Sequence, residues 1–586
     1  MRISLLGVLG LITIVAAGAF SKKLGVAAPL ILIVIGVGFS FIPGAPVIVP
    51  AEVILLGLLP PILYSAALNV PVVDFRRNLT SISLLSVALV LVTAAISGLI
   101  LYLLFPQLSL PAAIAIGAVI SPTDAVAATA LGRRLGLPPR LVTILEGESL
   151  VNDATALVLL RSAIAATAAS VAFWDLVGDF VFAVTVALAI GLVVGWATVW
   201  VRSKLRDSML DTAVSFAVPF IAFIPAEYLN ASGVLAAVAA GLYSGHYGAK
   251  RFSAQARISE RLNWRTLQFV LENGVFLLMG IQVSSLIAGV QEEDLSATTA
   301  IIVGLVMVLV VLGVRFLFMG PLVLVLRRRD AANERINRRW GSVLEGARRR
   351  NDIAINGAET PNPSERLQRR LSRAEKAHKR RAADVVQLRA EGLGWRGGVI
   401  LGWSGMRGVV TLAAAQSLPD GTPYRAQLVL IAFTVAVVTL LVQGGTLPWI
   451  IALTGIRATD DAADRRELAG LLDDIAAAGI TVLDNPDFQL PDDQSIDQAI
   501  IDRVRHDTLA NAESAWEGAE HGAGDDGLVF SPQRQYRELR REVLRAERAA
   551  LLEARSEGTY PSRILGRVQA MIDLEETRLE QMDTPG

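Results

Sequence analysis

Long apolar runs separated by short polar stretches fill the chain up to about residue 326 and return between about 397 and 455. A helix needs about 20 predominantly apolar residues to cross a bilayer, so this pattern predicts an all-α polytopic membrane protein with about thirteen transmembrane helices. The predicted spans are approximately 3–20, 27–43, 48–68, 79–105, 111–131, 141–168, 175–201, 209–226, 229–247, 265–287, 298–326, 397–417 and 424–455.

Two polar regions interrupt and follow these spans. We expect transmembrane helices 1–11 within residues 1–326, a charged cytoplasmic insertion at 327–396, helices 12–13 at 397–455 and a soluble cytoplasmic helical tail at 456–586. Arginines and acids at helical spacing in the insertion are typical of a solvated helix lying against anionic lipid. The tail carries no nucleotide-binding glycine loop, so we expect it to act in regulation or assembly.

Basic residues are concentrated in alternate loops, which predicts the orientation of the chain. These loops contain Lys22, Lys23, Arg76, Arg77, Arg133, Arg134, Arg140, Arg202, Lys204, Arg206, Lys250, Arg251, Arg257 and Arg261. Because Lys and Arg favour the cytoplasmic side, we expect an outside N-terminus and a cytoplasmic C-terminus in the cell (inner) membrane.

The overall composition excludes several classes of protein. The 586 residues are 53% hydrophobic with a formal net charge of zero, so no global field attracts nucleic acid. The chain contains no cysteine, which excludes disulfides and thiolate catalysis, and its four histidines lie in predicted loops or the tail. We therefore expect no cofactor, and a membrane enzyme lacks an evident nucleophile and base.

Acidic residues inside apolar spans are the strongest chemical signal in the sequence. Asp124 follows Pro122 in an apolar run, and proline breaks a helix by removing a backbone donor. Unpaired peptide groups inside a membrane are tolerated only when they are buried in protein or line a wet cavity. A helix break beside an acid therefore predicts an ion site.

The next span presents polar side chains on two faces. Ser149 and Asp153 are four residues apart on one face, whereas Glu148 and Asn152 form a second pair on another. We expect the first face to join Asp124 in holding a cation, and Glu148 to seek a basic partner. The alternative is that arginines neutralise all these acids and merely lock the helix bundle.

Two arginines at span depth need compensation. Arg315 lies in the middle of the eleventh span, and we expect Glu148 to be its counter-charge, because an isolated buried charge is costly. Arg407 lies among glycines in GWSGMRGVVTLAAA, which predicts a second unwound helix whose dipole ends Arg407 compensates. Close glycine-mediated helix packing is the alternative.

The third span contains LLPPILYSAALN, residues 58–69. Its two prolines, Pro60 and Pro61, predict a bend that turns Ser65 toward the site, which makes Ser65 a further candidate for cation and proton binding.

These motifs together resemble the cation:proton antiporter-1 type of sodium/proton antiporters, which includes bacterial NhaP-type proteins and animal sodium/proton exchangers. The resemblance rests on SPTDAVA, GESLVNDATALVL, LPPILYSAAL, SGVLAAVAAGL, LENGVFLLMGIQV and SGMRGVVTLA with LLVQGGTL, in family order across residues 1–455. It implies inverted repeats with two crossed unwound helices, a core domain that moves against a dimerisation domain, and a homodimer.

The resemblance also implies roles for individual residues. The positions matching the family's cation and proton site are Asp153, Asp124, Ser149, Asn152 and Thr123, with Asp153, Asp124 and Ser149 as the Na+ ligands. Glu148 and Arg315 match a structural ion pair, and Arg407 matches the arginine of the second unwound helix. The chain departs from the family at Ser65, where several relatives carry an acid, and at Arg161.

We therefore expect a secondary active antiporter that exchanges Na+, or Li+ or K+, for H+ by alternating access, electroneutrally, in pH and sodium homeostasis. Burial favours the neutral form of a carboxyl group, so proton and cation are expected to compete for Asp153. The alternatives are a K+/H+ exchanger of the same fold and a non-transporting membrane sensor that acts through the tail.

Overall fold

The structure is a computed structural model, and the residues that it describes are helical almost throughout. It describes residues 2–42, 49–124, 126–168, 173–205, 207–292, 296–356, 374, 378, 382, 394–456, 461–484, 498–506, 509, 540–547, 549, 574–576 and 579. No strand occurs in these ranges, which confirms the all-α prediction. The chain forms two compact units, Met1–Ala458 and Thr459–Gly586.

The first unit is a bundle of long and short helices. In chain order these are α1 (Arg2–Leu24), α2 (Ala28–Ser40), α3 (Leu59–Asn69), α4 (Val72–Arg77), α5 (Leu79–Ser83), α6 (Leu89–Leu104), α7 (Leu110–Ile120), α8 (Val126–Arg134), α9 (Pro139–Ala168), α10 (Phe173–Arg202), α11 (Ser208–Tyr228), α12 (Gly233–Arg251), α13 (Ala254–Ile281), α14 (Val283–Glu292), α15 (Ala297–Asn356), α16 (Trp395–Trp403), α17 (Val409–Gln416) and α18 (Arg425–Thr454). Short π-helical segments, Val53–Leu58 and Leu84–Ala88, lead into α3 and α6.

Each predicted span is helical over most of its length. Among the described residues, seven helices are long and apolar enough to cross a membrane, and four shorter apolar helices accompany them. The prediction of a multi-pass membrane protein is confirmed, whereas the number of thirteen crossings stays a prediction.

Local sequence explains where several of these helices begin. Pro29 and Pro111 occupy the first turns of α2 and α7, where a missing N–H costs nothing. The Ser232 hydroxyl accepts a hydrogen bond from Leu235 N at the start of α12, and Ser253 caps α13 in the same way.

The predicted fifth and twelfth spans are both broken. The fifth divides into α7 and α8 around residues 121–124, where Pro122 cannot donate a backbone hydrogen bond. The twelfth divides into α16 and α17 around residues 404–408, the glycine-rich segment. Both helices therefore break at the segments predicted from the sequence.

Helix α9 lies between two apolar clusters of the first unit. Its Leu141 and Ile144 belong to a cluster built also from α2, α6, α7 and α15 to α18. Its Leu150 and Ala154 belong to a second cluster with α3, α11 and α12. The polar residues of α9 are thus positioned at the boundary between the two clusters.

Glycines allow some of these helices to approach closely. A Cβ atom built at Gly36 of α2 would lie 2.9 Å from the Cα atom of Gly280 in α13, so a larger residue does not fit there. This contact is the close small-residue packing that is common between membrane helices.

Helix α15 continues thirty residues beyond residue 326, where its apolar run ends. The following segment contains no proline up to Asn356, and its arginines and acids are compatible with helical geometry. Hydrophobicity therefore marks the end of the apolar stretch but not the end of the helix.

The second unit contains α19 (Asp461–Leu483). The guanidinium of Arg540 donates to both carboxylate oxygens of Glu575 at 2.8 and 2.7 Å. The roles of the insertion at 327–396 and of the tail at 456–586 stay predictions, and parts of both lie outside the described residues.

Candidate functional site

The two helix breaks meet each other. The backbone N–H of Asp124 in the first break donates to the carbonyl of Met406 in the second at 2.7 Å. In the other direction, Arg407 Nε donates to the carbonyl of Ile120 at 3.0 Å, and its Nη2 donates to that of Ser121 at 3.4 Å. The peptide groups released by one break are therefore satisfied partly by the other.

Arg407 is 1% exposed and is bound by backbone rather than by acids. Besides the two carbonyls at the end of α7, its Nη1 donates to the carbonyl of Gly405, and its backbone N–H donates to Thr439 Oγ1 at 3.0 Å. Because the C-terminal end of a helix carries partial negative charge, the guanidinium compensates the end of α7.

The Asp124 carboxylate is held from two sides. Its Oδ1 accepts a hydrogen bond from Val126 N, the first residue of α8, at 2.8 Å. On the opposite side, a Cβ atom built at Gly408 would lie 2.6 Å from Asp124 Cβ and closer still to Oδ2. The glycine before α17 therefore leaves the space that this carboxylate occupies.

A hydrogen-bond network connects the first break to α9. Asn152 Nδ2 donates to Thr123 Oγ1 at 2.9 Å and to the Thr123 carbonyl at 3.1 Å. Thr123 Oγ1 in turn donates to Glu148 Oε1 at 2.8 Å. Asn152 thus fixes the unwound segment to α9, and its Oδ1 has no hydrogen-bond partner among the described residues.

Glu148 and Arg315 form a buried ion pair between α9 and α15. Nη1 of Arg315 donates to Oε1 at 2.5 Å and Nη2 donates to Oε2 at 2.9 Å, with both residues 1% exposed. Arg315 Nε donates to the carbonyl of Leu401 in α16 at 3.0 Å. The arginine fork matches the carboxylate, so each charge compensates the other, and the partner inferred from the sequence is the one that the structure brings together.

A cavity of about 690 Å³ lies beside the breaks. Asp124 and Asp153 both line it, as do Thr123 and Ser149, and Asp153 is only 7% exposed. Its walls come from α3, α8, α9, α13 and α17. Four of the six residues assigned to the cation and proton site from the sequence therefore face one space.

One end of this cavity carries charged residues. Arg133 and Glu146 form an ion pair there, and Arg261 and Arg265 of α13 also line it. The side chain of Arg133 is 63% exposed, so the cavity reaches the protein surface at this end.

Ser65 is not among the residues that line the cavity. Its hydroxyl is buried and donates to Gln268 Oε1 at 2.9 Å, and Gln268 Nε2 donates to Glu272 Oε1 at 2.6 Å. Glu272 does line the cavity, as a third carboxyl beside Asp124 and Asp153. The sequence signal for Glu272 is an acid within an apolar span, but its helix gives no indication of which space it faces.

Arg161, the second departure from the family, also has a partner. It lies eight residues after Asp153 on α9 and binds Glu227 of α11 at 2.5 Å. The Oε1 atom of Glu227 accepts from Gly233 N at 2.9 Å, and both charged residues line a separate cavity of about 240 Å³. Helix α9 therefore has a charged contact at each end, with Asp153 between them.

The candidate cation ligands are oxygen atoms. No cluster of three or more His, Asp or Glu side chains suited to a metal ion occurs in the described ranges. Two carboxylates with hydroxyl and carbonyl oxygens, as found here, suit a weakly held alkali cation rather than a resident transition metal.

Buried carboxylates at the crossing of two broken membrane helices define a transporter rather than an enzyme. The chain belongs to the sodium/hydrogen exchanger family, whose transmembrane model matches residues 10–355 and 367–453. This family consists of cation/proton antiporters, and the resemblance stated from the motifs is confirmed.

Relatives agree with this assignment. The chain is 27% identical over 592 residues to an uncharacterised Na+/H+ exchanger of Mycobacterium tuberculosis, covering 98% of this chain and 96% of the relative. It is 26% identical to a sodium, potassium, lithium and rubidium/H+ antiporter of Bacillus pumilus, over 76% of this chain and 60% of that protein. The fold is similar to that of the sodium/proton antiporter MjNhaP1 of Methanocaldococcus jannaschii, with a TM-score of 0.53 and 14% identity over 78% of this chain and all of that one.

Proposed function

We propose that this protein exchanges Na+, or Li+ or K+, for H+ by secondary active transport, with Asp153 as the carboxylate that carries either ion. The observation that supports this most is that Asp153 and Asp124 line one cavity at the meeting point of the two helix breaks. Asp124, Ser149, Thr123 and Asn152 complete the proposed cation and proton site.

Coupling follows from competition for one carboxylate. A proton and a cation each neutralise Asp153, and burial disfavours the charged, empty carboxylate. A neutralised carboxylate crosses an apolar barrier at much lower free-energy cost than a charged one. The site therefore changes sides of the membrane only when a proton or a cation is bound. One proton for one cation makes the exchange electroneutral.

Helix α9 supports an alternating-access movement. The large cavity reaches the surface near Glu146, about 10 Å before Asp153 along the helix, and the small cavity lies near Arg161, about 12 Å after it. Between Glu146 and Arg161, Leu150 and Ala154 of α9 belong to an apolar cluster with residues of α3 and α12. We propose that α9 and the two broken helices move together and open these two sides in turn.

Three further assignments follow the family resemblance. We propose that the protein is a homodimer in the cell (inner) membrane, with its N-terminus outside and its C-terminus in the cytoplasm. The pair Glu148–Arg315 and the residue Arg407 are proposed to hold the moving helices together without binding the cation. Na+ and pH homeostasis is the proposed physiological role.

The experiment measures dissipation of a pH gradient in proteoliposomes after addition of Na+, Li+ or K+ in turn. We expect a cation-dependent signal that Asp153→Asn abolishes, because an amide neither carries a proton nor neutralises a cation. Asp420→Asn is the matched control, since the side chain of Asp420 is 99% exposed and does not line the cavity.

Each outcome of the proteoliposome experiment leads to a different conclusion. Full exchange by Asp153→Asn would overturn the role of this aspartate. A folded wild-type protein with no signal for any cation would favour a membrane sensor acting through the tail. A signal with K+ alone would favour K+/H+ exchange, and potassium is among the cations for which the Bacillus pumilus relative is named.

A further inference from the structure

We propose that Thr411 supplies a further neutral oxygen ligand to the transported cation, from the second broken helix. This inference rests on the proposed function and adds a ligand that the sequence motifs did not single out. It would make both helix breaks, not one, contribute to the site.

Thr411 lies in the wall of the cavity, and its buried hydroxyl is unpaired among the described residues. Thr411 lines the cavity of about 690 Å³ together with Asp124 and Asp153, and it is 1% exposed. Its Oγ1 has no hydrogen-bond partner among the residues that the structure describes. Several buried hydroxyls lack a partner among the described residues, and of these the Thr411 hydroxyl is the one whose residue lines this cavity, which points to a partner that enters it.

The helix break explains why this hydroxyl is free. Other helical threonines here, such as Thr155 and Thr434, donate to the carbonyl four residues earlier, at 3.1 and 2.7 Å. The residue four positions before Thr411 is Arg407, which lies in the break and not in the helix. Thr411 therefore lacks the carbonyl that usually satisfies a threonine hydroxyl.

Thr411 lies close to Asp124 along the second broken helix. Gly408 is the residue immediately before α17, and Thr411 belongs to the first turn that follows it. Gly408 lies directly against Asp124, since a Cβ atom at that position would come within 2.6 Å of Asp124 Cβ. Thr411 therefore lies within about one helical turn of the glycine that contacts Asp124, in the wall of the same cavity.

The chemistry of a hydroxyl suits this position. The first turn of α17 carries partial positive charge, so the two aspartates must supply the negative charge that attracts a cation. A hydroxyl offers a lone pair to a hard cation without adding charge. Thr411 would therefore tighten cation binding while leaving the one-for-one exchange of charge intact.

The test compares Thr411→Val, which keeps the shape and removes the hydroxyl, with Thr411→Ser, which restores the hydroxyl. Exchange is measured in proteoliposomes over a range of Na+, Li+ and K+ concentrations. We expect Thr411→Val to raise the apparent KM on the order of tenfold for at least one cation with kcat largely retained, and Thr411→Ser to restore it. Unequal changes among the three cations would identify Thr411 as a selectivity residue.

The matched control is Thr434→Val, because Thr434 is also buried but its hydroxyl is paired and does not line the cavity. If Thr411→Val does not fold, Thr411→Ala provides the same comparison against Thr411→Ser. An unchanged KM for all three cations in a variant without the hydroxyl would overturn the role of Thr411 as a ligand. It would leave the proposed antiport function unaffected. A wild-type protein without cation-dependent exchange overturns the proposed function and the ligand together.

Discussion

The break between α7 and α8 and the break between α16 and α17 expose the same kind of unpaired backbone, but they carry side chains of opposite charge. The first places Asp124 beside a cavity, with one carboxylate oxygen bound to Val126 N. The second places Arg407 against carbonyl groups of both breaks. The acid keeps contact with the cavity, whereas the arginine is occupied by the backbone.

This difference agrees with the roles proposed for the two residues, cation binding for Asp124 and a structural charge for Arg407. A group that exchanges ions needs access to water, and Asp124 has it through the cavity. A group that fixes two unwound segments needs full hydrogen bonding in a buried place, which the five donors of a guanidinium provide. Among the described residues no carboxylate lies within ion-pair distance of Arg407, so its charge is balanced by helix-end carbonyls rather than by a partner of the Glu148 kind.

The largest expected effect comes from Arg407→Ala. The carbonyls of Ile120, Ser121 and Gly405 would lose a donor inside the protein, and each unsatisfied buried group costs about 1–3 kcal/mol. We expect a loss of at least ~3 kcal/mol in stability, seen as low folded yield and a lower Tm in detergent.

The matched control for this change is Arg425→Ala. Arg425 also donates to two backbone carbonyls, at 2.9 and 2.8 Å, but its side chain is 32% exposed. Water replaces the lost donors there, so the decrease in Tm should be much smaller. Equal decreases in Tm for the two variants would contradict the argument that burial makes the Arg407 contacts more stabilising than those of Arg425.

A smaller effect is expected from Gly408→Ala, which tests the binding side of the comparison. The added methyl group overlaps the Asp124 side chain, and overpacking of this kind costs about 1–3 kcal/mol. The backbone of Asp124 is tied to Met406, so the carboxylate must move. We expect folded protein with a raised apparent KM for the cation in the proteoliposome assay.

Gly445→Ala is the control for this substitution, because a Cβ atom at Gly445 of α18 meets nothing within 4 Å. It should leave KM unchanged. If Gly408→Ala transports with the wild-type KM, the position of the Asp124 carboxylate does not govern cation binding. That result would contradict the role of Asp124 in the comparison of the two breaks.

The sequence could predict those parts of the site that depend on local chemistry. Pro122 and the glycines around Arg407 mark both breaks, because proline and glycine act on the backbone where they stand. The pairing of Glu148 with Arg315 was also predictable, since each was an opposite charge at span depth that needed a partner.

The parts that depend on packing between distant segments were not predictable. In the sequence, Thr411 is not distinguishable from any other threonine in an apolar run. Its difference depends on the residue at which α17 begins, which only the structure shows. The prolines predicted a bend near Ser65, but the direction of its hydroxyl depends on Gln268, 203 residues away in sequence. Cation binding by Ser65 therefore stays a prediction. In the structure the Ser65 hydroxyl donates to Gln268, which in turn donates to Glu272.

The smallest effect is expected from Arg161→Ala, which tests whether every charged contact of α9 behaves like the buried ones. Arg161 binds Glu227 at 2.5 Å, but its side chain is 49% exposed, and exposed ion pairs contribute only about 0–1 kcal/mol. We expect Tm to change little and the change to vanish at high salt, because exposed pairs are screened. The exchange rate is the more sensitive measurement. In the proposed movement of α9 its contact with α11 opens, so removing the ion pair should raise the exchange rate even though the pair adds little stability. Arg133→Ala, which removes the exposed pair with Glu146 at the other end of α9, is the control. A loss of stability as large as that of Arg407→Ala would contradict this reasoning, since it would mean that exposure does not decide which charges hold these helices together.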